Sequence, residues 1–417
     1  SGSDRSGSCA AKKEHHHNEL LVEATLPPAP KHRHRRRHTE DVDDDDDDSS
    51  TTSGPPPIPR YVNGKWRVKE KIGQGSYSVV HRGYDKETDN QVAIKFEWVD
   101  APKGRRQINE ARLIEKIGNT PNIPQLYWYG TQGPWNIMVM QLQGQSLNDL
   151  FTKCHRKFTL KTVLNLADQM IQRIEFVHSK GVVHRDIKPH NFLMGREELM
   201  GQVIIMDFGL AKKFKDKNGR HVPGAQNRGL TGTLRYVSLN VHAGLEPSRR
   251  DDLEAIGYVL LHFLRGTLPW QGLKGSSRKS KHEKIRKSKQ NTSPEELCEG
   301  FPNEFVAFFK HIRALQFHEK PNYGYLRGLI HTMQKREGCS FDGFFDWEKV
   351  VSVHSSSSSE THYDPAMNSC SPRREEELVG LNPNDEDDDN EDHDDVVDGH
   401  GENGHRRVTV HQDDQGA

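Results

Sequence analysis

The chain has 417 residues, 32% of them apolar, and a formal net charge of −1 that hides a basic body (residues 60–353, net +17) between acidic ends (residues 1–59, net −4; residues 354–417, net −14). That is enough chain for two compact parts with cores of their own, and a basic body points to anionic ligands. Five scattered cysteines without a Cys-x-x-Cys pair exclude a disulfide framework and a cysteine zinc site, and indicate a reducing compartment; no apolar run approaches the roughly 18 residues of a membrane span, no signal peptide is visible, and no membrane partner is expected.

Residues 1–60 are expected to form a disordered arm. It holds His15–His17, the basic run Lys31–His38, the acidic run Asp43–Asp48 and a Pro-rich stretch, with little to bury. The basic run reads either as a nuclear address or nucleic-acid tether, or as a solvated arm folding back on the acidic run. Cytoplasm, nucleus or both are therefore expected. Five short alternating runs follow as predicted strands: Trp66–Ile72, Val79–Tyr84, Gln91–Phe96, Gln125–Tyr129 and Asn136–Met140. A helical pattern over Arg105–Ile117 interrupts them. After Gly144 the period changes to that of helices, at Leu160–His178, Asp251–Leu264, Asn303–Phe317 and Tyr323–Gln334. A strand-rich half followed by a helix-rich half predicts an α+β molecule with a ligand cleft between its parts. From His354 onward the tail is Ser-rich and acidic, and is again expected to be disordered.

Four motifs carry chemistry. In "KIGQGSYSVV", Gly73 and Gly75 would let backbone N–H groups approach phosphates, with Gln74 and Ser76 in the same turn; Ser78 stands where a third glycine would complete Gly-x-Gly-x-x-Gly. In "QVAIKF", Lys95 ends a Val-Ala-Ile-Lys run of the kind that holds α- and β-phosphates. It needs a carboxylate on the neighbouring helix. Glu110 shares a face with Leu113, Ile114 and Ile117, whereas Glu115 does not, so Glu110 is the expected partner. In "HRDIKPHN", Asp186 would accept the proton of a substrate hydroxyl, Lys188 would neutralise a transferring phosphoryl group and Asn191 would hold a metal ion. In "MDFG", Asp207 supplies the second metal ligand. Phosphoryl transfer needs phosphates held, charge neutralised and an oxygen aligned, and Asp186, Lys188, Lys95 and Glu110 are the expected catalytic set.

With these motifs in order, the chain resembles the casein kinase 1 group of serine/threonine protein kinases over about Trp66–Trp347. "NIMVMQLQGQSLNDLF" is similar to that group's hinge. "LTGTLRYVSLNVHAGLEPSRRDDLEAIGYVLLHFLRGTLPWQGLKG" is the most specific stretch, with Ser238-Leu239-Asn240 where most protein kinases have Ala-Pro-Glu. The resemblance implies a bilobal protein-kinase fold, with a small β-rich lobe (about 61–143) and a large helical lobe (about 144–350) in a domain spanning 61–350, and tails at 1–60 and 351–417. It implies ATP and Mg2+ as cofactors, with the adenine walled by Ile72, Val80, Ala93, Met140, Leu193 and Met206 and met by backbone groups of Gln141 and Gln143. Asp252 would buttress the catalytic loop. A substrate anion site at Arg228, Arg235 and Lys281, near Gly272, would favour protein substrates with acidic or phosphorylated motifs, and a monomer is expected.

The sequence departs from the group at "QLQGQSLN", where Gln141, Gln145 and Asn148 replace two carboxylates and a proline, by a residue inserted before Glu110, and at His190, where the group has aspartate. None of these removes a group that would touch phosphate. The rival reading is a pseudokinase-type binding scaffold, which the presence of Lys95, Asp186, Asn191 and Asp207 together argues against. Nucleic acid is not an expected partner, because no aromatic residues are interleaved in the basic stretches to stack bases.

Overall fold

The computed structural model describes residues 56–75, 78–99, 106–339 and 342–348. The arm with its histidine, basic and acidic runs, Ser76 in the glycine-rich turn, and the Ser-rich acidic tail lie outside the described residues.

Six strands form one antiparallel sheet: β1 (Tyr61–Val62), β2 (Trp66–Gln74), β3 (Ser78–Asp85), β4 (Gln91–Trp98), β5 (Leu126–Gln132) and β6 (Trp135–Gln141), in the order β1-β2-β3-β4-β6-β5. Successive side chains of a strand point to opposite faces, and β4 shows what this achieves. Val92, Ile94 and Phe96 enter an apolar cluster with Trp66, Trp135, Ile137 and Val139. Ala93 joins the opposite cluster, with Met138, Met140 and, from α1 (Arg106–Ile117), Ala111, Ile114 and Ile117. Lys95 shares the parity of Ala93 and so faces α1.

The rest of the chain is mainly helical. α2 (Leu147–Lys153) and α3 (Leu160–Ser179) come first, then the short strands β7 (Val182–Val183), β8 (Phe192–Met194), β9 (Val203–Ile205) and β10 (Lys212–Lys213), paired β7 with β10 and β8 with β9. α4 (Leu239–His242), α5 (Arg249–Arg265), α6 (Arg278–Asn291), α7 (Pro294–Leu297), α8 (Asn303–Ala314) and α9 (Tyr323–Arg336) complete it. α3 and α5 are the core of this part; α5 buries every residue from Asp251 to Leu264. Gly257 on α5 has no room for a side chain, since a Cβ there would lie 2.7 Å from Phe309 Cζ on α8.

Three elements differ from the sequence reading. α2 is too short for a helical period to be legible, but a capping box starts it: Ser146 Oγ accepts from Asp149 N at 3.1 Å, and Asp149 Oδ2 accepts from Ser146 N at 3.2 Å. The charged run after Ser277, where the sequence reading places no helix, is helix α6, capped by Ser277 Oγ and burying Ile285 and Lys289. α8 stops at Ala314, because Leu315 turns extended (ψ 137°). Among the described residues no helix is long and apolar enough to cross a membrane.

Two histidines in the helical part are held neutral. His262 on α5 is 1% exposed, with its ring 4.9 Å from that of Phe151. Burial, with Arg235 and Arg156 nearby, pushes its pKa well below the usual value. Burial and Lys289 push His242 down to about 2. The unfolded chain takes up protons at these rings near pH 6.5, whereas the fold does not. Stability is therefore full above that pH and falls as pH drops, by about 1.4 kcal/mol per pH unit for each ring once below it. The melting temperature is expected to be clearly lower at pH 5 than at pH 7.5; a level or rising value would show that these two rings do not dominate the pH dependence.

Candidate active site

The sheet delivers Lys95. Its Nζ lies 2.9 Å from Glu110 Oε2 on α1 and 3.3 Å from Asp207 Oδ1. Glu110 is 3% exposed, and its other oxygen accepts from Phe208 N at 3.1 Å. Glu115 stands elsewhere, with Oε2 3.4 Å from Tyr129 Oη. The next turn of contact is also built from α1: Gln107 N donates to Glu97 Oε2 at 3.1 Å, and Gln107 Nε2 to Lys95 O at 2.5 Å. Burial opposes the charge on Lys95, but Asp207 and Glu110 outweigh it and hold its pKa above the ordinary lysine value. Burial likewise works against the Asp207 carboxylate, yet Lys95 and Lys188 pull its pKa below the usual range. Lys95 is an ammonium and Asp207 a carboxylate at neutral pH.

The loop after β7 delivers the second half. Arg185 adopts a left-handed backbone (φ +69°), which L-residues rarely do. It is held there by Asp252 on α5, whose Oδ1 accepts from Arg185 N at 2.8 Å and whose Oδ2 accepts from His184 N at 2.7 Å. His178 Nε2 on α3 lies 2.9 Å from the same Oδ2, and its Nδ1 2.7 Å from Tyr323 Oη on α9. The Asp186 carboxylate is 3% exposed and fully engaged. Oδ1 accepts from Thr233 Oγ1 at 2.8 Å and Thr233 N at 3.2 Å; Oδ2 accepts from Lys188 Nζ at 3.0 Å and Asn191 Nδ2 at 3.2 Å.

Both halves open on one cavity of about 880 Å³. Ile72, Gly73, Gln74 and Gly75 line it from β2 and the turn beyond, with Val80 from β3 and Ala93 from β4. Met140, Gln141 and Gln143 line it along the connection to the helical part, and Leu193 and Met206 from β8 and the stretch after β9. Asp186, Lys188, Asn191, Asp207 and Thr233 line it as well. The donor set suits a divalent ion. Asn191 Nδ2 is committed to Asp186 O at 2.8 Å, so its amide oxygen is the atom left to offer, beside the ionised Asp207. Two protein oxygens, completed by phosphates and waters, fit magnesium. Among the described residues no group of three or more His, Cys, Asp or Glu forms a metal site without such help.

The residues expected to bind a substrate anion come from separate segments. Arg235 lines the cavity, its guanidinium 5.8 Å from the centre of the Tyr236 ring. Arg228 Nε lies 2.9 Å from Glu246 Oε2, a buried carboxylate that also takes Lys212 Nζ at 2.8 Å. Gly272 has φ +72° with open space around it, and Lys281 is the fourth residue of α6. Sequence reasoning missed Thr233, although it lies inside the quoted "LTGTLRY", and the role of Ser238 and Asn240. These two donate to Asp251 Oδ1 at 2.6 and 3.0 Å, while Asp251 Oδ2 accepts from Ser248 N at 2.7 Å to start α5.

The lysine–glutamate pair, the buried aspartate beside a lysine and an asparagine, and the second aspartate in one cavity suit the handling of phosphoryl groups. A family model for the protein kinase domain matches residues 66–323, more than half of the chain, and the chain belongs to that family. Members phosphorylate proteins and use ATP with a divalent metal ion.

Asp252 supports the catalytic loop through two backbone N–H groups and a histidine. Asp252→Asn would turn an amide donor toward at least one of them. The expected cost is about 2–4 kcal/mol of stability, with a loss of kinase activity larger than the fraction unfolded explains. Denaturant unfolding of both proteins beside their specific activity checks this; equal stability would leave the loop held by other contacts.

Proposed function

We propose that the protein is an ATP- and magnesium-dependent serine/threonine kinase of the casein kinase 1 type, with a two-lobed domain, acting on proteins that carry acidic or already phosphorylated residues near the target. The observation that carries the reading is the Asp186 carboxylate, saturated by Thr233, Lys188 and Asn191, in the same cavity as Arg235. The stretch from Leu230 to Gly275, with Ser238-Leu239-Asn240 tied to Asp251, supports the group.

A carboxylate has about four lone-pair positions, and all four on Asp186 are in use. Lys188 is the partner able to leave. Turning to the γ-phosphate, it would neutralise charge there and vacate a position on Oδ2 for the substrate hydroxyl. The hydroxyl oxygen then bonds to the γ-phosphorus, the bond from that phosphorus to the β–γ bridging oxygen breaks, ADP departs, and the hydroxyl proton passes to Asp186. Lys95, fixed by Glu110, would position the α- and β-phosphates. Asn191 and Asp207 would hold magnesium, which supplies charge neutralisation on the phosphates.

Asp186→Asn should lower kcat by about 10²–10⁴-fold while the ATP Kd stays close to wild type. Lys95→Met should abolish turnover through lost phosphate positioning. Wild type and Asp186→Asn with equal activity, or a wild type that binds ATP without turnover, would favour a binding scaffold.

A charge-assisted contact is worth about 1.5–3 kcal/mol. Arg235→Ala should therefore lower kcat/KM about 10–100-fold for peptides with a phosphoserine before the target and only slightly for neutral ones. Arg228 should matter less than Arg235, because Glu246 already shares its charge. An equal loss on all peptides would make Arg235 a folding residue.

A further inference from the structure

Lys289 lies in the last turn of α6 and has no part in the chemistry above. It is fully buried, with 0% of its surface exposed. Its Nζ donates to Leu234 O at 2.9 Å and Val237 O at 2.7 Å, and stands 5.0 Å from the centre of the Tyr258 ring and 5.1 Å from that of Trp270. Trp270 Nε1 donates to the carbonyl of Arg235 at 2.8 Å. Three carbonyls of one short segment are thus gripped from below by a lysine and a tryptophan, with the aromatic faces covering the ammonium. Cations gain from such faces, the more so when desolvated.

The gripped segment reaches directly into the site. Tyr236 N and Val237 N donate to Thr233 O at 2.9 and 3.1 Å, so Thr233 opens the turn that Lys289 holds. Thr233 in turn gives both its N–H and its hydroxyl to Asp186 Oδ1. Arg235 leaves the same turn toward the cavity. A lysine suits the task because its long stem crosses the apolar layer from α6 and its ammonium carries several donors on one atom. An ordinary core position would hold a hydrophobic residue at lower desolvation cost. Burial pushes the Lys289 pKa well below the usual lysine value, against the pull of Glu254.

We propose that Lys289 is a positioning residue for phosphoryl transfer: it fixes the turn 233–237 so that Thr233 orients Asp186 and Arg235 is presented to the substrate. The proposal rests on the kinase reading of Asp186.

The test uses the full chain with Lys289→Met, which keeps the stem's bulk and removes the donors. Because the desolvation cost of a buried amine goes too, the loss of stability is small. The expected result is an ATP Kd within about twofold of wild type and a kcat lower by about tenfold or more, the scale of a misplaced catalytic group. Amide exchange over residues 233–237 should accelerate about tenfold while α3 and α9 keep their protection. In a double-mutant cycle with Thr233→Ala, the pair should be no slower than the worse single variant, since both act through Asp186. A folded Lys289→Met with wild-type kcat, or losses that multiply fully with Thr233→Ala, would overturn the proposal. Exchange rising equally across α3, α9 and the turn would also overturn it, by showing a purely structural role. If Lys289→Met does not fold, Trp270→Phe removes the donor to the Arg235 carbonyl and is judged by the same three measurements. Asp186→Asn tests the kinase reading separately, so either idea can fail while the other stands.

Discussion

The carboxylate of Asp252 is the contact on which the rest of the site depends. It is 2% exposed and sits where α5, α3 and the loop after β7 meet. Each of its oxygens accepts a backbone N–H from consecutive residues, His184 and Arg185. That pair of bonds offsets the left-handed backbone of Arg185, a conformation that costs an L-residue about 1–2 kcal/mol. Arg185 is thereby aimed at Leu210, whose carbonyl accepts from Arg185 Nε at 2.6 Å. His184 Nε2 lies 3.0 Å from Met206 O. The loop with Asp186 and the stretch with Asp207 are thus held by neighbouring residues that branch from one anchor.

The two aspartates use opposite physical devices. Asp186 is 3% exposed, and four donors leave no lone pair of its carboxylate idle. Its side chain cannot rotate without breaking several bonds, which is what aligning a hydroxyl requires. Asp207 retains 35% of its side-chain exposure and has Lys95 as its close cation. It also holds a left-handed backbone (φ +64°), and Gly209 N donates to its Oδ1 at 3.4 Å. One carboxylate is set against the protein, and the other keeps capacity for what enters the cavity.

The motifs were legible because they are local. "HRDIKPHN" and "MDFG" place their functional groups within a few residues, where spacing alone fixes the relation between them. The parity of β4 was legible as well: a period of two separates Val92, Ile94 and Phe96 from Lys95. The helical stripe of Leu113, Ile114 and Ile117 was enough to choose Glu110 over Glu115 as the residue facing inward, and Lys95 lies against Glu110. Short elements such as α2 were not legible, because seven residues make only about two turns, too few repeats to read a period, and only the Ser146–Asp149 box marks the start.

By itself, then, the sequence determined which residue types and spacings suit phosphate chemistry, which strand face the lysine occupies and where most of the longer helices run. All of this follows from side-chain chemistry and local periodicity. The tertiary structure alone decided what surrounds those groups. Thr233 meets Asp186 across 47 residues, and Lys289 meets Leu234 and Val237 across 55 and 52. Nothing in a run such as "SRKSKHEKIRKSK" distinguishes the one lysine that is buried from those on the surface. The difference arises only when α6 packs beneath the segment 234–237, whose backbone carbonyls, identical in every residue, leave no mark in the sequence.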